Sequence, residues 1–214
     1  MQLPFTTAQF FGVVATYNEA VWPAQVALGV LALLAVAGGI GAWRQADVLV
    51  SGVLTFLWAW LGFAYHFAFF SAINPLAWIF GGISLAGGAM FAWHGVFGRR
   101  LHFRVHSGVR AASGSVMILF ALFGYPLWAH LAGHRYPAFP TFGLPCPTTL
   151  FTVGMLTLLE APYPRSVCVV PLLWCLVGAQ AAFLLSVPQD LGLLVAAALC
   201  IVLLMHSRNP RPEA

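Results

Sequence analysis

The chain has 214 residues, 61% of them hydrophobic and only 7% charged, with nine basic residues against five acidic ones. An ordinary soluble domain is about 25% charged, so these proportions exclude a soluble fold and leave an integral membrane protein. The net charge of +4 is no nucleic-acid signal, because the basic residues are all arginine and their positions follow membrane topology.

In chain order, residues 5–17 read as a short amphipathic helix. Thr6 followed by Gln9 fits a capping box, and Phe10, Val14 and Tyr17 fall on one face. This helix is expected to lie flat on the membrane surface. Seven apolar stretches follow, at about 21–43, 48–70, 76–97, 111–131, 147–159, 167–187 and 191–206. Trp22 and Trp43 stand roughly 31 Å apart along a helix, the separation of two interfacial belts. Small residues recur within the spans (Gly38, Gly39, Gly81, Gly82, Ser84, Gly88), a pattern that lets membrane helices approach closely.

Arginine positions orient the bundle. With seven spans, eight of the nine arginines fall on one side (Arg44, Arg99, Arg100, Arg104, Arg110, Arg165, Arg208, Arg211) and Arg135 alone on the other. The expectation is an all-α, polytopic membrane helical bundle of seven transmembrane helices, with its N-terminus outside and its C-terminus cytoplasmic. Residues 1–20 would form the interfacial segment, 21–206 the transmembrane domain, and 207–214 a cytoplasmic tail. The first arginine is Arg44, so the start of the chain lacks the basic region of a secretory signal.

Polar residues gather at the outer ends of these spans. The richest stretch is residues 130–149, with His130, His134, Arg135, Cys146 and prolines at 137, 140, 145 and 147. Proline interrupts helix at this depth, and non-helical backbone is tolerated in a membrane only when buried in protein or lining a watery cavity. The expected ligand-binding residues are Glu19, His66, Asn74, Arg135, Gln189 and Asp190. His130 and His134 share a helix face at the spacing of a two-histidine metal site, and His66 and Cys146 are the further candidate ligands for a transition-metal ion. Cys146 between two prolines would sit at a helix N-cap, where the dipole favours a thiolate. His102 and His106 lie in the arginine-rich loop and read as phosphate-headgroup contacts. Four cysteines show no Cys-x-x-Cys spacing.

The runs Tyr17-Asn18-Glu19-Ala20-Val21-Trp22-Pro23, Tyr65-His66, Ile73-Asn74-Pro75, Gly133-His134-Arg135-Tyr136-Pro137 and Pro188-Gln189-Asp190-Leu191-Gly192-Leu193 resemble an uncharacterised bacterial family of seven-helix membrane proteins. That family is known only as a domain of unknown function. The resemblance implies a multi-pass protein of the bacterial cytoplasmic (inner) membrane and supplies no activity. Three function classes follow from the residues: a binding or transport protein with an outward-facing polar pocket for a metal ion or small polar ligand, a membrane-embedded metal-dependent hydrolase, and a structural or cofactor-binding subunit of a membrane complex. The partners expected are the lipid bilayer and a small ligand reaching the protein from outside.

Overall fold

The computed structural model describes residues 3–41 and 43–207. Arg208, Arg211 and nearly all of the expected tail lie outside the described residues. The chain folds as an all-α polytopic membrane bundle. Among the described residues there are eight helical segments: α1 Thr7–Val21, α2 Ala24–Gly41, α3 Ala46–Ala72, α4 Ala77–Phe97, α5 Val109–Leu131, α6 Pro145–Leu156, α7 Ser166–Leu184 and α8 Pro188–His206. Six of them, α2 to α5 with α7 and α8, are long and apolar enough to cross a membrane. Their outer faces expose large apolar residues such as Leu33, Phe63, Trp78, Val116 and Val195, as a surface meeting lipid does.

The fifth expected span departs from the other six. α6 is 12 residues long, about 18 Å of helix, and every residue from Pro147 to Leu156 is buried. It packs against α3, α5, α7 and α8, so it is the shaft around which the long helices stand. Its contact with α5 depends on two glycines: a Cβ on Gly114 would lie 3.1 Å from the Gly154 carbonyl, and one on Gly154 would lie 3.0 Å from that of Gly114. The small residues noted in the spans work in the same way at Gly38, Gly81 and Gly88, which face α3 side chains or backbone; Gly82 faces open space.

α1 begins with the expected capping box. Thr6 Oγ1 accepts from the Gln9 amide at 3.2 Å, and Gln9 Oε1 accepts from the Thr6 amide at 2.8 Å. It does not lie free on a surface, however. Val14, Tyr17 and Asn18 are buried, because α1 is docked across one end of the bundle. Asn18 is the reason. Its Nδ2 donates to the carbonyls of Pro137 and Phe139 at 2.6 and 2.9 Å, while its Oδ1 accepts from Gln25 at 2.6 Å and Thr141 at 2.8 Å. The proline-rich hairpin, which cannot pair its own backbone as helix, finds its partners there. Tyr17 adds a second fastening by donating to the Gly143 carbonyl at 3.1 Å and accepting from Trp60 Nε1 at 2.7 Å. Burial pushes the Tyr17 phenol up to about 12, so it remains a donor at any working pH.

The opposite end is joined by its loops. Asp47 accepts from the Phe103 amide at 2.9 Å, from Arg104 at 2.9 Å and from His102 at 3.0 Å. The Arg104 amide donates to Leu158 at 2.7 Å and the Glu160 amide to His102 at 2.8 Å, and Arg110 reaches the Leu159 carbonyl. His102 thus holds the Asp47 carboxylate through Nδ1, within its arginine-rich surroundings.

Three of the long helices contain π-helical turns, at Leu61–Phe67 in α3, Ala92–Phe97 in α4 and Phe120–Gly124 in α5. The last has a visible cause. Pro126 offers no amide and its ring would press on the carbonyl four residues earlier, so the helix widens just before it.

Candidate functional site

Beneath α1 lies a cavity of about 360 Å³. Its walls come from α1, α3, α4, α5, α7, the start of α6 and the segment leading into α8. Most of the surface is apolar, and two small groups stand out among the polar side chains, which also include Tyr65, Asn74, Thr149 and Gln180. In the first, the Tyr125 hydroxyl donates to Asp190 Oδ1 at 2.5 Å, with both residues buried. The half-buried Cys146 thiol stands beside this pair.

His66 and Trp174 make the second group, with ring centroids 5.1 Å apart. Phe80 closes on both, at 6.0 Å from His66 and 5.2 Å from Trp174, and Phe70 lies 6.0 Å from His66 on another side. Both ring nitrogens of His66 and the indole nitrogen of Trp174 are buried without a hydrogen-bond partner, as is Thr149 Oγ1. Buried polar atoms are nearly always paired, so unpaired ones on a cavity wall are poised for something that occupies the cavity. Asn74 is partly used: its Oδ1 accepts from the Leu76 amide at 3.1 Å and caps the start of α4.

Local structure explains how these side chains come to point inward. His66 lies inside the π turn of α3, and Tyr125 follows directly on that of α5. One additional residue in a turn rotates all that follows by about 100°. Cys146 occupies the first turn of α6, whose N-cap is Leu144 rather than Cys146 itself. Its neighbour is the Asp190 carboxyl group, so the thiol does not face the electropositive setting that a bare helix end would supply.

Of the residues anticipated from sequence, the cavity brings together His66, Asn74, Cys146 and Asp190. It leaves out the rest. Glu19 is exposed on the outer face of α1, and Arg135 and His130 are exposed near the hairpin. His134 stacks on Phe11 at 4.3 Å. Gln189 is buried, with both amide atoms unpartnered, but is not part of the cavity wall. The four residues named for a metal ion therefore do not meet, and among the described residues no three His, Cys, Asp or Glu side chains form a group able to hold one. Proximity at one end of a bundle is a weaker condition than convergence. The histidines at 130 and 134 satisfy the first and not the second.

Tyr125, Trp174 and Thr149 were missed by the sequence reading. Two carried a signal: an aromatic with a polar atom in the middle of an apolar span, away from the interfacial belts, needs a buried partner.

The family model for DUF6064, a family of unknown function, matches residues 7–212. The chain belongs to that family. The match takes in α1, the hairpin and the cavity wall apart from Leu3, Pro4 and Phe5. No curated protein and no solved structure matches the chain.

Proposed function

We propose that this member of the DUF6064 family binds a lipid-soluble small molecule, which enters the cavity sideways from the bilayer. The observation that carries this is the rim. Leu3, Leu76, Val177 and Leu184 line the cavity and are each more than a third exposed, at 37, 51, 38 and 45%. Leu76 and Leu184 stand where α4 begins and α7 ends, so this apolar rim lies at the boundary of the hydrocarbon layer, a place where a lipid-soluble ligand can pass between bilayer and cavity. Its volume lies within the range of small-molecule sites, which are largely apolar with a few placed polar groups. Binding thus remains the function class, as the sequence suggested, while the ligand changes from a metal ion or polar solute to a lipophilic one.

The orientation belongs to the same reading. Arg44, Arg99, Arg100, Arg104, Arg110 and Arg165 all lie on or next to the loops at the end opposite α1, and Arg135 lies in the hairpin beneath α1. With α6 and the hairpin together counted as a crossing, the chain spans the membrane seven times, the arginine-rich end is cytoplasmic, and the cavity is nearer the outer leaflet. In a bacterium that membrane is the cytoplasmic one.

The test is photolabelling in native membranes with a long-chain alkyl diazirine alcohol, followed by peptide mapping. Adducts should concentrate on residues 144–149 and 174–185. Labelling confined to outward positions such as Leu33, Phe63 and Val195 would overturn the proposal.

A further inference from the structure

We infer that the ligand carries an uncharged, flat, carbonyl-bearing head of the quinone type on an apolar tail. This deepens the lipid-soluble reading above and rests on it. The absence of cationic groups from the wall decides the charge. None of the cavity residues is an arginine, and the one acid among them, Asp190, is already held by Tyr125. A fatty-acid carboxylate or a phospholipid phosphate would lose its hydration and find no counter-charge, which costs several kcal/mol. An ammonium head would have only the occupied Asp190 to meet. The head is therefore neutral.

The unpaired groups decide the chemistry. Trp174 Nε1 can only donate, and His66, uncharged among aromatic rings, has one donor and one acceptor nitrogen. Unpaired donors on two neighbouring rings favour a ligand that brings an acceptor, and a carbonyl oxygen has two lone pairs to offer. The free acceptor nitrogen of His66 suits the hydroxyl of the corresponding reduced ring equally well. The aromatic character of the wall points the same way: His66, Trp174, Phe80 and Phe70 pack together along it, surroundings that suit a flat ring better than a branched ester. The cavity of about 360 Å³ equals roughly a dozen waters at about 30 Å³ each. That is room for a substituted ring and the first part of a tail, with the remainder leaving through the rim formed by Leu76 and Leu184.

The experiment uses the purified full chain in detergent and follows alkylation of Cys146 by N-ethylmaleimide with mass spectrometry. Decylubiquinone, 1-decanol, a neutral monoglyceride (1-monodecanoin) and decanoic acid are each titrated as protecting agents. Quenching of intrinsic tryptophan fluorescence by decylubiquinone gives a second, label-free readout. Decylubiquinone should protect at the lowest concentration. His66→Phe and Trp174→Phe should each raise its half-protecting concentration about tenfold or more, the loss of one buried hydrogen bond. His66→Gln, which keeps a donor and an acceptor, should restore most of the affinity. If decanol, the monoglyceride or decanoic acid protects as well as the quinone, or the two variants change nothing, the head-group inference falls and the lipophilic cavity stands. If no probe protects and decylubiquinone does not quench, both fall.

Discussion

At the scale of single residues, Asn18 and Cys146 show how different the roles of two polar groups can be at the same end of a bundle. Asn18 uses both amide hydrogens and its oxygen, all on the proline-rich hairpin and α2. Replacing it by leucine leaves the Pro137 and Phe139 carbonyls buried without a donor, at about 1–3 kcal/mol each. We expect Asn18→Leu to lower the midpoint of thermal unfolding in detergent by on the order of 10 °C, and Asn18→Ala to do much the same. An unchanged midpoint would mean that the hairpin is held by something else. Cys146, by contrast, is half-buried and on a cavity wall, whereas Cys168, Cys175 and Cys200 are fully enclosed. In the folded protein, N-ethylmaleimide should therefore modify Cys146 alone, and a bulky charged maleimide should modify none of the four. Equal modification of Cys168 under native conditions would contradict the packing of α7.

Elements make sense through what interrupts them. α6 starts at Pro145 and Pro147, which cannot extend a helix further back, and it ends at Leu156. It can be wholly buried because its residues are apolar or small hydroxyl-bearing ones; Thr152, for example, donates back to the Thr148 carbonyl at 2.8 Å and accepts from Trp58 at 3.1 Å. The glycine crossing of α5 and α6 gives a direct test. A methyl on Gly154 would lie 2.7 Å from Ile118 and 3.0 Å from the Gly114 carbonyl, so the two backbones must separate. Gly154→Ala should destabilise by about 1–3 kcal/mol, the range for overpacking a closed contact. Gly82→Ala, at a glycine with nothing within 4 Å, should be neutral or stabilise by up to about 1 kcal/mol. Both are measured by thermal unfolding in the same detergent, and equal effects would show that the close crossing is not formed.

For the whole molecule the asymmetry of the two ends is the main feature. One end is tied together by Asp47 and loop backbone, carries six of the arginines, and encloses Tyr163, whose phenol burial pushes up to about 12. The other is covered by α1 and holds the cavity beneath. Reporter fusions read this directly. A fusion after Ala214 should be active only as a cytoplasmic reporter, and one after His134 only as an external reporter. External activity after Ala214 would reverse the orientation and place the cavity nearer the cytoplasmic leaflet.

The membrane setting, the positions of the long helices, the capping box of α1 and the clustering of six arginines at one end were legible in the amino-acid sequence. Each depends on residues close together in the chain: the length of an apolar run, a spacing of three, a charge beside a span. His66, Cys146 and Asp190 could be picked out for the same reason, as ionisable groups out of place in apolar surroundings. Their convergence could not. It depends on the rotation of α3 and α5, which the π turns reset by a residue each, and on a 12-residue helix being buried at the centre instead of facing lipid. The tertiary structure also separated His130, His134, Arg135 and Glu19 from the site. Lying near the same end of a bundle is a one-dimensional property, whereas sharing a cavity requires side chains on different helices to point at one another.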